Sequence, residues 1–186
     1  MEAYAREKKF PIIGPACGNL CYEIARMIGA RRVFELGSGY GYSTAFFARA
    51  VQENGGGAVH HVVWDEELSG KARQHLGAMG FADVVRYQVG EAVGELEKAD
   101  GPFDIIFNDI EKRGYPASLP VIERKLRSGG VLITDNMLWS GRIFDPTDTS
   151  PNTEGVREFT RQVRDSGRWI VSLVPIRDGM IVALKK

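Results

Sequence analysis

The spacing of apolar residues changes period several times along the chain, and each change predicts an element. Leu20, Ile24 and Ile28 recur every fourth residue and stop at Gly29, which predicts a helix over 15–28. The run "RRVFEL" (31–36) then reads as a buried strand. A short helix over 42–51 leads to a second strand, "AVHHVVW" (58–64). Leu68, Ala72, Leu76 and Met79 share one face of a helix over 66–79 that stops at Gly80. "VVRYQV" (84–89), "FDIIFN" (103–108) and "GGVLITD" (129–135) supply three more strands. Between the last two, a helix turns Leu119, Ile122 and Leu126 inward. Val156, Phe159 and Val163 mark a late helix. "RWIVSLVPI" and "GMIVALK" end the chain as two strands joined by "RDG", a hairpin turn.

Strands that alternate with helices of this length imply βαβ units and a mostly parallel sheet. The expectation is an α/β fold, Rossmann-like, with seven strands, helices on both faces and a C-terminal antiparallel hairpin. Residues 1–186 read as one domain with a short N-terminal segment, 1–14. The longest irregular stretch is "SGRIFDPTDTSPNTEG" (140–155), and loops of that length are usually functional or mobile.

Composition narrows the class. With 186 residues, 44% apolar and 26% charged, the chain matches an ordinary globular domain. A net charge of zero argues against a nucleic-acid or anionic-membrane partner. No run is long and apolar enough to span a bilayer, and "MEAYAREKKF" lacks the apolar core of a secretory signal, so the expected location is cytoplasmic. Cys17 and Cys21 share a helix face without further ligands of metal spacing, and read as packing residues. His60 and His61 point to opposite faces of a strand, and His75 lies on a helix; all three read as structural.

In an open α/β sheet, ligands bind beyond the carboxyl ends of the strands. Those ends carry Glu35-Leu36-Gly37, Trp64-Asp65, Gly90-Glu91, Asn108-Asp109 and Asp135-Asn136. Acidic residues recur there, which suits a phosphate pocket poorly. In "VFELGSGYGYS" (33–43), Gly37, Gly39 and Gly41 have the spacing G-x-G-x-G, one residue short of the dinucleotide fingerprint. The next helix aims its N-terminus at the same place, which favours a ligand carboxylate or phosphate. Glu35 suits a ligand ammonium. An amino acid with a sulfonium fits better than a pyrophosphate.

"VFELGSGYGYSTAFFARA" resembles motif I of class I S-adenosylmethionine-dependent methyltransferases. More narrowly, the chain resembles the cation-dependent O-methyltransferases of the catechol and caffeoyl-CoA group. "FNDIEKRGYP" is similar to that family's D-x-x-K-x-x-Y segment, "GGVLITDNMLWSGRI" to its G-G-x-x-x-x-D-N-x-L-x-x-G segment, and "PIRDGMIVALKK" to its terminal P-x-x-D-G hairpin. The resemblance implies methyl transfer from S-adenosylmethionine to a hydroxyl of a small aromatic vicinal diol. Asp109, Asp135 and Asn136 would hold a divalent cation through hard oxygen ligands, which suits Mg²⁺, with Mn²⁺ and Ca²⁺ as alternatives. Such an ion favours phenolate over phenol. The resemblance makes Lys112 the general base. It assigns Ile13, Gly14, Gly37, Gly39 and Ser43, with Glu35 nearby, to the methionine part of the cofactor. Trp64, Glu91 and Ala92 fall near the adenine, and Asp109 borders both metal and cofactor. Trp139, Arg142 and the 140–155 loop would wall the substrate pocket, and Tyr115 reads as packing.

The resemblance breaks at three places. The acidic residue expected to hold the ribose falls on Val63, two positions before Asp65. The glutamate that holds the second hydroxyl in animal catechol enzymes falls on Ser172. The N-terminal cap is shorter than in relatives, which implies an open pocket or one covered by a second subunit in a homodimer. Two alternatives stand beside the methyltransferase: a nicotinamide dehydrogenase, and a non-catalytic cofactor-binding protein.

Overall fold

The computed structural model describes residues 1–186. Helices α1 (Glu2–Lys8) and α2 (Gly14–Met27) precede strand β1 (Arg32–Leu36). Then α3 (Tyr42–Glu53), β2 (Ala58–Val63), α4 (Glu66–Ala78), β3 (Val85–Val89), α5 (Ala92–Lys98) and β4 (Phe103–Asn108) alternate. A short 3₁₀ turn, Lys112–Gly114, leads into α6 (Tyr115–Lys125) and β5 (Leu126–Thr134). Helix α7 (Pro151–Asp165) and strands β6 (Trp169–Val174) and β7 (Met180–Lys185) complete the chain. The sheet has the order β3-β2-β1-β4-β5-β7-β6. The first five strands are parallel, and β7 pairs antiparallel with both β5 and β6. The expected architecture, with its terminal hairpin, is the observed one.

Strand residues point alternately to the two faces, so each strand feeds two cores. Val33, Val59, Ile105 and Ile133 pack with Cys17, Cys21, Ile24 and Phe47 from α2 and α3. Phe34, Val62, Ile106 and Leu132 pack with Leu96, Ile122 and Phe159 from α5, α6 and α7. Both cysteines are buried free thiols in the first core, and burial pushes their pKa values up. Near-continuous apolar runs read as strands here because the parallel strands are buried on both sides.

Four local expectations are corrected. Leu126 opens β5 rather than closing the preceding helix. Met79 is 47% exposed, because α4 has ended at Ala78 and the residue has left the inward face. The irregular stretch ends sooner than expected, since α7 begins at Pro151, a residue suited to a first helical turn. Helices α1 and α5 were not expected. Each has only seven residues, too short to show a repeating apolar period.

The order reverses at β1, whose neighbours β2 and β4 lead the chain to opposite sides of the sheet. A crevice therefore opens beyond the carboxyl ends of β1 and β4, where open α/β sheets place ligands. No helix is long and apolar enough to cross a membrane.

Candidate active site

Two cavities meet at this crevice. The larger is a cleft of about 1150 Å³, and the smaller is a pocket of about 490 Å³. Gly37, Gly39 and Asp109 line both, so they form the shared wall. Ile13, Gly14, Ser43, Lys112, Asp135 and Asn136 line the cleft. Trp64, Glu91 and Ala92 line the smaller pocket, together with Val63 and Asp65. Thus twelve sequence positions from six separate segments are brought to two adjoining spaces.

The acidic edge is built by the sheet ladder. The Asp109 amide donates to the Leu36 carbonyl at 2.9 Å, and the Asp135 amide to the Asn108 carbonyl at 3.2 Å. Pairing therefore continues one residue past β4 and β5, which holds the two aspartates side by side. Tyr115 is fully buried beneath them and its hydroxyl donates to the Asp135 carbonyl at 3.0 Å, a packing and bracing role. Burial, and then the Asp109 charge, push the Asp135 carboxyl up to about 6. Burial likewise raises Asp109, and the Lys112 charge opposes that rise. Lys112 Nζ donates to Asp109 Oδ1 at 2.8 Å and to the Ile110 carbonyl at 3.2 Å. It also lies 5.4 Å from the Tyr115 ring and 5.9 Å from the Trp139 ring. Asn136 adopts a left-handed φ of 59° and its Nδ2 donates to Asp178 Oδ2 at 3.0 Å. Asp178 Oδ1 also accepts from the Ser140 amide at 2.6 Å.

The glycines answer to the fold as much as to a ligand. A Cβ on Gly37 would stand 2.5 Å from the Asp109 carbonyl oxygen, and its φ is +88°. Only glycine lets β1 and β4 converge so closely at the shared wall. Gly155, inside α7, plays an unforeseen part: a Cβ there would stand 2.3 Å from the Lys112 carbonyl oxygen. The bare backbone lets α7 pack directly on the turn that carries Lys112. A glycine in an otherwise amphipathic helix was the signal to read. Asp178 was also missed as a site residue, although it stands in the quoted P-x-x-D-G segment and lines the cleft.

Three expected site residues stand elsewhere. Glu35 is fully buried under the glycine loop, outside the lining of both cavities, with its carboxylate accepting from the Thr44 hydroxyl. Burial raises it to about 7. Arg142 is turned away by a closer partner: its Nε donates to Asp148 Oδ2 at 2.6 Å. Trp139 is half-buried beside Lys112 and Arg142, and Ser140 rather than Trp139 lines the cleft from that loop. Ser172 sits on the edge strand β6, paired with Val182, away from the cleft. Trp64 is 75% exposed, which removes a core role for it. Strand β2 keeps its register with β3 through Val63, opposite Val89. Asp65 follows as the N-cap of α4, its Oδ1 accepting from the Leu68 amide at 2.8 Å. Glu91 lines the pocket, but its carboxylate caps α5 by accepting from the Val93 and Gly94 amides.

The N-terminal segment covers the cleft from within the same chain. Glu2, Ala5 and Phe10 line it, and α1 is tied down through the Tyr42 hydroxyl on Glu2 Oε1 at 2.9 Å. The N-terminal segment thereby forms part of the cleft wall.

Residues 5–186 match the family described as O-methyltransferase. The chain belongs to that family. A catechol O-methyltransferase of Niastella koreensis is 28% identical over 183 residues, covering 94% of this chain and 82% of the relative. The crystal structure of an O-methyltransferase from Bacillus cereus, in complex with SAH, superposes with a TM-score of 0.90 at 27% identity, covering 99% of this chain and 88% of the other. TomG, an O-methyltransferase from Streptomyces achromogenes involved in tomaymycin synthesis and crystallised with SAM, superposes with a TM-score of 0.89 at 26% identity, covering 98% and 86%. The O-methyltransferase described here therefore has the class I methyltransferase fold, and the dehydrogenase and non-catalytic alternatives fall away.

Proposed function

We propose that this O-methyltransferase moves the methyl group of S-adenosylmethionine onto one hydroxyl of an aromatic vicinal diol, with a divalent cation held by Asp109, Asp135 and Asn136. The observation that carries the proposal is the convergence of these three oxygen donors and Lys112 in one cleft, across a shared wall from a second pocket. The donor set fits a hard dication. The Asp109 charge adds to the cost of ionising the buried Asp135 carboxyl, and Asp135 has no cationic side chain bonded to it. The bound SAH and SAM of the Bacillus cereus and Streptomyces relatives support the cofactor. Its adenosine would take the smaller pocket and its methionine the Gly37–Ser43 turn, so that the methyl group reaches the cleft beside Asp109.

A bound dication lowers the cost of forming a phenolate at neutral pH and orients the two oxygens of a diol. The protein supplies the rest. In its neutral amine form, Lys112 Nζ would take the phenolic proton at the cleft wall. Asp109 spans both cavities and fixes the spacing between nucleophile and methyl donor, and positioning of that kind is worth several kcal/mol. Tyr115 and the β4–β5 ladder keep both aspartates in place. Helix α1 and Phe10 add to the wall of the cleft.

The test is methyl transfer from labelled S-adenosylmethionine to catechol. Turnover should vanish in EDTA and return with Mg²⁺ or Mn²⁺. Asp135→Ala should match the chelated enzyme while still binding S-adenosylhomocysteine in a calorimeter. Full turnover in excess EDTA would refute the cation.

A further inference from the structure

Three cationic side chains line the cleft: Arg6, Lys112 and Arg177. Arg6 lies 3.9 Å from Glu2 and Lys112 is bound to Asp109. Arg177 has no carboxylate partner. Its single hydrogen bond runs from Nη1 to the Ile12 carbonyl at 2.5 Å, which leaves the other donors of its fork unused. Its neighbour Asp178 could neutralise it, but both Asp178 oxygens are committed to Asn136 and Ser140.

The backbone is strained in a way that keeps the side chain there. Arg177 holds a φ of 49° in the hairpin turn, a left-handed conformation that a non-glycine residue adopts at a cost. Three of the five such residues in the chain, Asn136, Ser140 and Arg177, line this one cleft, so the strain is concentrated at the site. The guanidinium also lies over Gly14: a Cβ on Gly14 would stand 3.0 Å from Arg177 Nη1. Two unusual backbone positions, one on each side, thus hold a cation with no bonded carboxylate at the cleft that holds Asp135 and Asn136.

We propose that Arg177 is a specificity-determining residue that binds a carboxylate on the substrate's ring, so that the preferred acceptor is a dihydroxyaryl carboxylic acid rather than a neutral diol. The inference rests on the diol reading above. The hydroxyls would face Asp109, Asp135 and Asn136, and the carboxylate would meet the guanidinium fork in the charge-assisted geometry that arginine favours. Arg177 is exposed at the cleft mouth, so screening trims the gain to about tenfold in affinity.

Calorimetric titration of the enzyme, loaded with S-adenosylhomocysteine and Mg²⁺, tests this with 3,4-dihydroxybenzoate, catechol and benzoate. Wild type should bind dihydroxybenzoate about tenfold tighter than catechol. Arg177→Gly should bring that ratio close to one. Glycine prefers the left-handed φ, so the variant should melt no lower than wild type, and a lost ratio is not a lost fold. Equal affinities in wild type, or an unchanged ratio in Arg177→Gly, would overturn the inference. Arg177-dependent binding of benzoate, with neither diol bound, would sink the diol reading and leave the carboxylate site standing. Failure of all three to bind would overturn both.

Discussion

Glu35 and His61 are register partners on β1 and β2, both fully buried, and they should tilt the stability of the protein in opposite directions with pH. One Glu35 oxygen and both His61 ring nitrogens lack hydrogen-bond partners, so burial dominates each titration. Burial raises Glu35 from 4.5 to about 7 and lowers His61 from 6.5 to about 4. Between about pH 4.5 and about pH 7, native Glu35 keeps a proton that the unfolded chain has released. The stability it contributes is complete at the acid end and is lost as pH rises through about 7. His61 does the reverse. The unfolded chain carries a proton that the native state refuses, so its contribution is complete above 6.5 and is lost as pH falls through about 4. A tenfold change in proton affinity is about 1.4 kcal/mol, so each group is worth of order 3 kcal/mol across its window. Glu35→Gln keeps an acceptor for Thr44 and removes the titration. Its stability relative to wild type should therefore climb by about 3 kcal/mol from pH 4.5 to pH 7.5. His61→Gln should lose ground relative to wild type by a similar amount from pH 4 to pH 7. Urea unfolding at half-unit steps of pH, read as differences from wild type, isolates these two groups from the other carboxylates. A Glu35→Gln difference that stays flat across this range would show that Glu35 is hydrated or paired and that burial does not govern it.

Three further outcomes bear on the chemistry. Lys112→Ala should lower kcat by about 10²–10⁴ with little change in S-adenosylmethionine affinity, and Lys112→Arg should not restore it, because arginine stays protonated; single-turnover kinetics decides. Gly155→Ala should push α7 off the Lys112 turn, since the added carbon would stand 2.3 Å from a backbone oxygen; kcat should fall at least tenfold while cofactor titration is unchanged, and a kcat equal to wild type would show that the turn is free to move. Val63→Glu should tighten S-adenosylmethionine by up to ten- to a hundredfold, less the desolvation of a nearly buried site; with β2 unshifted and Asp65 committed to its cap, loss of binding on Asp65→Ala alone, with no gain from Val63→Glu, would reverse that assignment.

Local periodicity carried the fold. The strand runs, the helix faces and the terminal hairpin were legible because burial on one face or both leaves its mark within ten residues of chain. The strand-end rule then placed Gly37, Asp109, Asp135 and Asn136 near one another from pattern alone, because a parallel sheet collects its carboxyl ends on a single edge. What remained hidden was every choice of partner. Nothing near Glu35 in sequence reveals that it sinks beneath the glycine loop, or that Asp148 claims Arg142. Gly37 and Gly155 are bare because carbonyls of Asp109 and Lys112, distant in sequence, arrive within 2.5 Å of where a side chain would begin. The N-terminal helix, too short to show a period, becomes a wall of the cleft once Tyr42 offers Glu2 a partner. Arg177 is one more arginine in a turn until the hairpin folds it over Gly14 and leaves it unpaired. Pattern records whether a residue is buried; which neighbour it meets depends on segments brought together through space, and that only the packed chain decides.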